Sequence, residues 1–294
     1  MPRCKVCFRH CDIEEGALGF CGARTCKDGE VVASNYGLVT AVALDPIEKK
    51  PLSRFYPGSM ILSVGSYGCN LRCPFCQNYD ISWSDSALSL GKLYGDAAEE
   101  ELDVLEPERL AKLAEAYRRE GNIGVAFTYN EPLIGYEYVR DCAKLVSERG
   151  MKNVLVSNGT AELSVLEEIL PYIDAMNIDL KGFTDEYYRD VLGGSRKMVM
   201  DFISRAVKDC HVELTTLIIP GENDDEEEMR EMTEWIASLT DGNGHVIGRD
   251  IPLHISRFFP RFKMTDRNAT DVRKVYHLVE IAKERLNYVY PGNC

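Results

Sequence analysis

Three cysteines within eight residues constrain this 294-residue chain more than any other feature of its sequence. Cys69, Cys73 and Cys76 follow the apolar segment 60–65 at C-x3-C-x2-C spacing. A cubane iron–sulfur cluster is normally held by four cysteine thiolates. A loop that supplies three thiolates therefore predicts a 4Fe–4S cluster with one iron free to bind another molecule.

An open iron of this kind suits S-adenosylmethionine (SAM), because the amino and carboxylate groups of its methionine part can chelate the metal. One electron delivered there can break a carbon–sulfur bond and release a 5′-deoxyadenosyl radical. Gly68 lets the backbone approach the cluster, and the amides of Asn70 and Asn78 can hydrogen-bond to its sulfides. The loop therefore predicts a radical generator. A partial zinc site, or three unrelated buried cysteines, is the alternative interpretation.

A second group of cysteines lies at the N-terminus, where glycines permit tight turns between them. Four thiolates could close a tetrahedral zinc or iron site, and so short a segment has little apolar content on which to fold otherwise. The expected ligands are Cys4, Cys7, Cys11 and Cys21, while Cys26 could replace one of them or stay free. A redox role and unligated thiols remain alternatives.

The grouping of the cysteines also bears on the compartment. Eight of the 11 cysteines fall into these two tight groups, which favours metal binding over disulfides and indicates a reducing environment. The N-terminus has no apolar signal region, and no run of 18 apolar residues occurs. We expect a cytoplasmic protein without a membrane segment.

The charge balance is acidic, with 34 Lys and Arg against 47 Asp and Glu and a net charge of −13. No stretch rich in Lys or Arg could follow a phosphate backbone. Nucleic acid is therefore a disfavoured partner.

From residue 57 onward, strand and helix signals alternate, which predicts an α/β fold with a parallel sheet, and the length suits a barrel. The predicted strands are 60–65, 123–128, 153–157, 175–180, 212–219 and 252–256. Helices are expected at 107–120, 132–149, 162–171, 198–209, 224–239 and 270–286.

The residues before the barrel are expected to form a separate unit. Short strands at 30–35 and 37–44 would belong to an N-terminal appendage, and the proline-containing segment 45–58 reads as an ordered linker. This division gives residues 1–56 as the cysteine-rich module and linker, and 57–294 as the barrel. Residues 80–105 are expected to form either a lid or an exposed insertion.

Polar motifs follow the predicted strands at their carboxyl ends, where barrels of this type carry their active sites. Asn130 and Glu131 end the second strand and could accept a hydrogen bond from the SAM amino group. The alternative is a helix N-terminus with Asn130 as its cap. Ser157 and Asn158 follow the third strand and could meet the ribose or methionyl groups, although a simple turn explains them equally well.

Further candidates lie on the later strands or directly after them. Asp179 suits ribose hydroxyls and Lys181 suits a carboxylate, unless the two form a salt bridge with each other. His254 is expected to point into the barrel mouth or to be an ordinary buried histidine. The Pro220–Gly221 turn could lay its backbone against an adenine edge.

Together these motifs resemble those of radical SAM enzymes. The chain is most similar to the activases of glycyl radical enzymes such as pyruvate formate-lyase. A closer match is the radical SAM family of the AmmeMemoRadiSam system, which the N-terminal cysteines and the segments 45–52, 73–78, 254–258 and 288–293 resemble. This resemblance implies a partial (β/α)6 TIM-type barrel, open on one side, with a small N-terminal cysteine-rich appendage.

The resemblance also implies roles for the candidate residues. The three cysteines of the loop would hold the 4Fe–4S cluster, and Asn130 and Glu131 would meet the SAM amino group. Asp179 would hold the ribose, Lys181 the carboxylate and His254 the nucleoside. No catalytic group is expected beyond the cluster and SAM. Val156, where activases tend to carry an acid, argues against a monovalent-cation site.

The expected activity is reductive cleavage of SAM, with an electron from a flavodoxin or ferredoxin, followed by abstraction of a substrate hydrogen. The substrate could be a protein, as for a glycyl radical activase. An alternative is modification of another protein or a metabolite, together with Memo-type and AMMECR-type partner proteins. An iron–sulfur electron carrier and a zinc-binding scaffold are the interpretations from other classes.

Overall fold

A twisted sheet of parallel strands organises the computed structural model, which describes residues 1–82 and 104–294. The strands are β1 (Arg24–Lys27), β2 (Glu30–Ala33), β3 (Ala41–Pro46), β4 (Met60–Gly65), β5 (Asn122–Phe127), β6 (Lys152–Ser157), β7 (Ala175–Asp179), β8 (His211–Ile218), β9 (Leu253–Arg257) and β10 (Val289–Gly292). The predicted lid or insertion at 80–105 lies largely outside the described residues.

The main sheet has the order β10-β9-β8-β7-β6-β5-β4-β3. Strands β4 to β9 each pair in parallel with the next strand along the chain. These are the six predicted strands, so the predicted α/β fold with a mostly parallel sheet is confirmed. Within the described residues, β3 and β10 form the two edges of the sheet. β10 was not expected from the sequence.

Helices follow the strands and cover one face of the sheet. They are α1 (Tyr79–Ser82), α2 (Pro107–Ala116), α3 (Tyr136–Glu148), α4 (Leu163–Ile169), α5 (Arg196–Ala206), α6 (Glu226–Ala237) and α7 (Val272–Lys283). Each of α2 to α7 overlaps a predicted helix. In α5 the buried side chains are Val199, Phe202, Ile203 and Ala206, a spacing that places them on one face. A π-helical segment, Tyr187–Leu192, was not predicted.

The N-terminal strands differ from the expectation. β1 and β2 form a hairpin whose two turn residues, Asp28 and Gly29, both have positive φ, as a two-residue Asp-Gly turn requires. The strand expected at 37–44 is β3, and it pairs antiparallel with β4. Its assignment to an N-terminal appendage was wrong, because its backbone groups complete the exposed edge of β4. The division into residues 1–56 and 57–294 stays a prediction.

The linker after β3 closes the amino end of the barrel. Ile47 and Leu52 are fully buried in a small apolar cluster with one residue from each of the strands β4 to β7, namely Ile61, Ala126, Val154 and Ala175. The backbone amides of Ser53 and Arg54 donate to the Glu213 carboxylate at 2.9 and 2.7 Å. This end of the barrel is therefore plugged, and access is left to the opposite end.

In the part of the chain that the structure describes, no helix combines the length and the apolar character needed to cross a membrane.

Candidate active site

A cavity of about 280 Å³ opens at the carboxyl ends of the barrel strands. It is bordered by the loop after β4 and by residues at or just beyond the ends of β5, β6 and β7. The predicted residues that line it are Cys69, Cys73, Cys76, Asn130, Glu131, Ser157, Asn158, Asp179 and Lys181. Segments far apart in the sequence thus bring the three thiols and the charged candidates to one place.

The loop that carries the three cysteines is anchored by two asparagines from neighbouring strands. The amide nitrogen of Asn130 donates to the carbonyl oxygens of Tyr67 and Gly68 at 3.1 and 3.2 Å, and its oxygen accepts from the Ser66 amide at 3.1 Å. Asn158 Nδ2 donates to Asn70 Oδ1 at 3.0 Å. Asn130 therefore holds the loop rather than capping a helix.

Three thiols that line one cavity suit an iron–sulfur cluster. Within residues 1–82 and 104–294, no three His, Cys, Asp or Glu side chains are spaced to hold one metal ion, and this applies equally to the N-terminal cysteines. Thiolates of an iron–sulfur cluster bind different irons and do not need to converge on one point. Burial raises the pKa of Cys73 to about 11 and raises that of Cys69 as well, so the thiolates need a bound cation to compensate for their charge.

Glu131 is a buried carboxylate on the wall of the cavity. It accepts hydrogen bonds from the Ser157 hydroxyl at 2.8 Å and from the Asn158 amide at 2.7 Å. It also caps the short turn Pro132–Gly135 by accepting from the Leu133 amide. Burial raises the pKa of Glu131 to about 7 despite these bonds. A cation placed beside this group would be favoured, because its described hydrogen-bond donors are neutral.

Asp179 and Lys181 form an ion pair at the end of β7, with Nζ 2.7 Å from Oδ2. Burial alone would lower the pKa of Lys181, but the charges of Asp179 and Cys73 outweigh burial and raise it. The salt bridge considered as an alternative is therefore present. Both side chains also line the cavity, so the predicted contacts with the ribose and the carboxylate stay predictions.

His254 is not among the residues that line the cavity. Its Nε2 lies 2.7 Å from Glu213 Oε2, and its ring stacks on Tyr290. Ser256, two residues further along β9, does line the cavity. The predicted contact of His254 with the nucleoside stays a prediction. The Pro220–Gly221 turn is also absent from the cavity lining.

Several residues that border the cavity were not predicted from the sequence. Thr215 and Ser256 face it from β8 and β9, and alternation along these strands could have indicated both. Asn293 comes from just beyond the unexpected β10. Tyr129 has a left-handed backbone with φ of 74°, and its hydroxyl donates to Asp45 at 2.7 Å.

The N-terminal cysteines form a second cluster of thiols. Cys4, Cys7, Cys11 and Cys21 line one small cavity, but no three of them are spaced to hold a metal ion, so their binding of zinc or iron stays a prediction. The fifth thiol, Cys26, is not among its lining residues and donates instead to the Glu15 carboxylate at 3.2 Å. The structure thus separates the four expected ligands from the fifth cysteine.

Comparison with known proteins identifies the family of this chain. The family model for the Radical SAM superfamily matches residues 63–233, and the chain belongs to this superfamily. Members of the family hold a 4Fe–4S cluster and SAM. The chain is 28% identical over 224 residues to a pyruvate formate-lyase-activating enzyme of Clostridium pasteurianum, covering 74% of this chain and 88% of that protein.

A further relative spans nearly the whole chain. It is a protein of Methanocaldococcus jannaschii described as uncharacterized (MJ0808), 37% identical over 295 residues, which covers 99% of this chain and 81% of that protein. Among solved structures, Streptococcus suis SuiB bound to S-adenosylmethionine has a TM-score of 0.55 at 13% identity, with coverage of 80% and 52%. A radical SAM methyltransferase from Sphaerobacter thermophilus has a TM-score of 0.54 at 14% identity, with coverage of 81% and 67%. These structures share the fold.

Proposed function

We propose that this protein is a radical SAM oxidoreductase whose cluster is held by Cys69, Cys73 and Cys76. The observation that carries the proposal is the convergence of these thiols with Glu131 and the Asp179–Lys181 pair on one cavity. When bound there, the cluster and SAM would supply the 5′-deoxyadenosyl radical that abstracts a substrate hydrogen. The protein supplies binding, orientation and exclusion of water.

The side chains divide this work according to their charge. The Glu131 carboxylate would accept hydrogen bonds from the SAM ammonium, a cation that its neutral partners do not provide. Asn130 would act through the loop, since its amide is already bonded to Tyr67 and Gly68. Lys181 would attract the SAM carboxylate and Asp179 the ribose hydroxyls. Ser157 and Asn158 would hold Glu131 in place.

The substrate proposed first is a protein, as for an activating enzyme. This is supported by the similarity to pyruvate formate-lyase-activating enzymes over most of the chain. A one-electron donor such as a flavodoxin or ferredoxin would reduce the cluster, and the cytoplasm is the proposed location. A glycine-centred EPR signal on a partner chain would be expected for this activity.

A second candidate is modification of another protein or a metabolite in concert with Memo-type and AMMECR-type proteins. The similarity to the activating enzyme of Clostridium pasteurianum covers 74% of this chain, whereas the similarity to the Methanocaldococcus jannaschii protein covers 99% of it, so part of the chain lies outside the similarity to that activating enzyme. This activity would give 5′-deoxyadenosine without a glycyl radical. In either case we propose zinc or iron at Cys4, Cys7, Cys11 and Cys21.

The test is SAM cleavage by the anaerobically reconstituted, reduced protein. We expect 5′-deoxyadenosine and methionine from the wild type and none from Cys73→Ala. Cys210→Ala is the matched control, because Cys210 lies outside both cysteine groups, and it should keep the activity. Absence of 5′-deoxyadenosine from a wild-type protein that carries its cluster would overturn the proposal.

A further inference from the structure

The N-terminal cysteine site and the loop of Cys69 to Cys76 are in direct backbone contact. The amide of Cys69 donates to the carbonyl oxygen of Cys21 at 3.2 Å. Next to it, Gly68 has a φ of 91°, and a Cβ on this residue would lie 2.8 Å from both the Cys21 oxygen and the Ala23 Cβ. The first cysteine of the loop therefore contacts the last of the four N-terminal cysteines through a backbone hydrogen bond.

Two arginines reinforce this contact around one aromatic ring. The Arg9 guanidinium lies 3.3 Å from the centre of the Phe20 ring, and that of Arg72 lies 4.1 Å from it. Arg9 Nε donates to the Asn70 carbonyl at 2.8 Å, and Arg72 Nη1 donates to the Cys69 carbonyl at 2.7 Å. Phe20 directly precedes Cys21, so a displacement of Cys21 would also displace the ring that both arginines contact.

The N-terminal segment has few means of holding this position by packing alone. Among residues 1–26, the buried apolar side chains other than cysteine are Val6, Ile13 and Ala23. Small segments of this kind depend on a bound metal to fold, and four thiolates select zinc or iron. Because no three potential ligands in the described chain are already spaced for a single ion, metal binding would have to draw the four thiols together.

We propose that zinc or iron bound by Cys4, Cys7, Cys11 and Cys21 fixes the Cys69–Cys76 loop, so that cluster uptake depends on metal at the N-terminal site. The metal has a structural role and undergoes no change of oxidation state. Arg9 is a positioning residue that transmits this effect. The inference rests on the proposed function only in requiring a cluster at the loop.

The first test compares two cysteines of the N-terminal segment. Cys11→Ser removes one proposed ligand without altering a residue of the loop. We expect metal affinity at the N-terminal site to fall about tenfold or more, and cluster loading during anaerobic reconstitution to fall with it. Cys26→Ser should leave both unchanged. Normal cluster loading in Cys11→Ser protein that has lost the N-terminal metal would overturn the coupling, and so would unchanged metal content.

A second test does not require a loaded cluster. In a Cys69→Ala, Cys73→Ala, Cys76→Ala variant, addition of zinc should slow hydrogen exchange in peptides spanning 68–72. Adding Arg9→Gln should reduce this protection while zinc still binds, whereas the control Arg3→Gln should not. Zinc binding with no change of exchange in 68–72 would overturn the proposal. Failure of the proposed function can be distinguished from failure of this coupling. Wild-type protein that carries its full cluster but does not cleave SAM would refute the function and leave the coupling intact.

Discussion

Two buried glutamates, Glu131 at the carboxyl end of the barrel and Glu213 near its amino end, differ in the direction of their pKa shifts. Burial raises the pKa of Glu131 to about 7, against the effect of its hydrogen bonds. Burial by itself would also raise the pKa of Glu213. Hydrogen bonds from two histidines and two backbone amides outweigh this effect and lower the pKa to about 2.

The difference between the two groups lies in their partners. Glu213 has a complete set of donors in His211, His254, Ser53 and Arg54, and it joins the linker to the barrel. The described donors to Glu131 are neutral, and its carboxylate borders an open cavity. One end of the barrel thus uses its buried carboxylate for stability, and the other keeps one ready for a cationic ligand.

The largest expected effect concerns the plugged end. Glu213→Gln removes the charge and leaves at least one buried donor without an acceptor, so we expect a loss of about 3 kcal/mol in the free energy of unfolding. Denaturant unfolding of the apoprotein measures this change. The folded fraction of this variant should bind SAM with unchanged affinity. Neutral surface substitutions change the free energy of unfolding by up to about 0.5 kcal/mol, so a change within that range would contradict the structural role of Glu213.

At the open end of the barrel, we expect a substitution of Glu131 to change the affinity for SAM. Glu131→Gln keeps the size of the side chain but removes the charge that would face the SAM ammonium. We expect SAM affinity to fall about 10- to 100-fold, as for loss of a hydrogen bond to a charged group. Calorimetric titration of the reconstituted protein measures it, with Glu213→Gln as the matched control. Equal affinity in Glu131→Gln and the wild type would exclude the proposed contact.

The smallest expected effect is a difference in how the two glutamates make the free energy of unfolding depend on pH. The unfolded chain binds the extra proton at Glu213 between about pH 4.5 and 2, so this residue makes the wild type more stable as the pH rises through that range. At Glu131 the folded protein binds the extra proton between about pH 4.5 and 7, so stability contributed there falls as the pH rises.

Each glutamine variant should lose its own pH-dependent contribution. The wild type minus Glu213→Gln difference in unfolding free energy should grow with pH below about 4.5. The wild type minus Glu131→Gln difference should shrink between about pH 5 and 7. Denaturant unfolding of the apoproteins over these ranges measures both, and slopes of the same sign would refute the contrast.

Much of the cavity could be predicted from the sequence because its residues directly follow buried apolar strands. Cys69, Glu131 and Asp179 each come within a few residues of a strand's carboxyl end, and parallel strands bring these ends together. The hairpin of β1 and β2 could also have been predicted, because the dipeptide Asp28-Gly29 is a strong signal for a two-residue turn.

The rest depends on contacts between distant segments. β3 was assigned to the wrong unit because its pairing is determined by the exposed edge of β4, which local pattern does not reveal. The role of Glu213 depends on Ser53 and Arg54, about 160 residues away. Alternation along β9 predicts that His254 and Ser256 lie on the same face of the sheet, but it does not predict how far each lies from the carboxyl end of the barrel. Of these two residues, Ser256 lines the cavity.

The central claim is that three cysteine thiolates leave one iron of the cluster open to SAM. Electron–nuclear double resonance on the reduced, reconstituted protein with SAM labelled at its amino nitrogen or carboxylate oxygen tests this directly. We expect hyperfine coupling from both labels in the wild type, and weaker binding but the same coupling in Glu131→Gln at saturating SAM. Absence of coupling from either label, with a fourth protein side chain bound to the cluster, would contradict the claim.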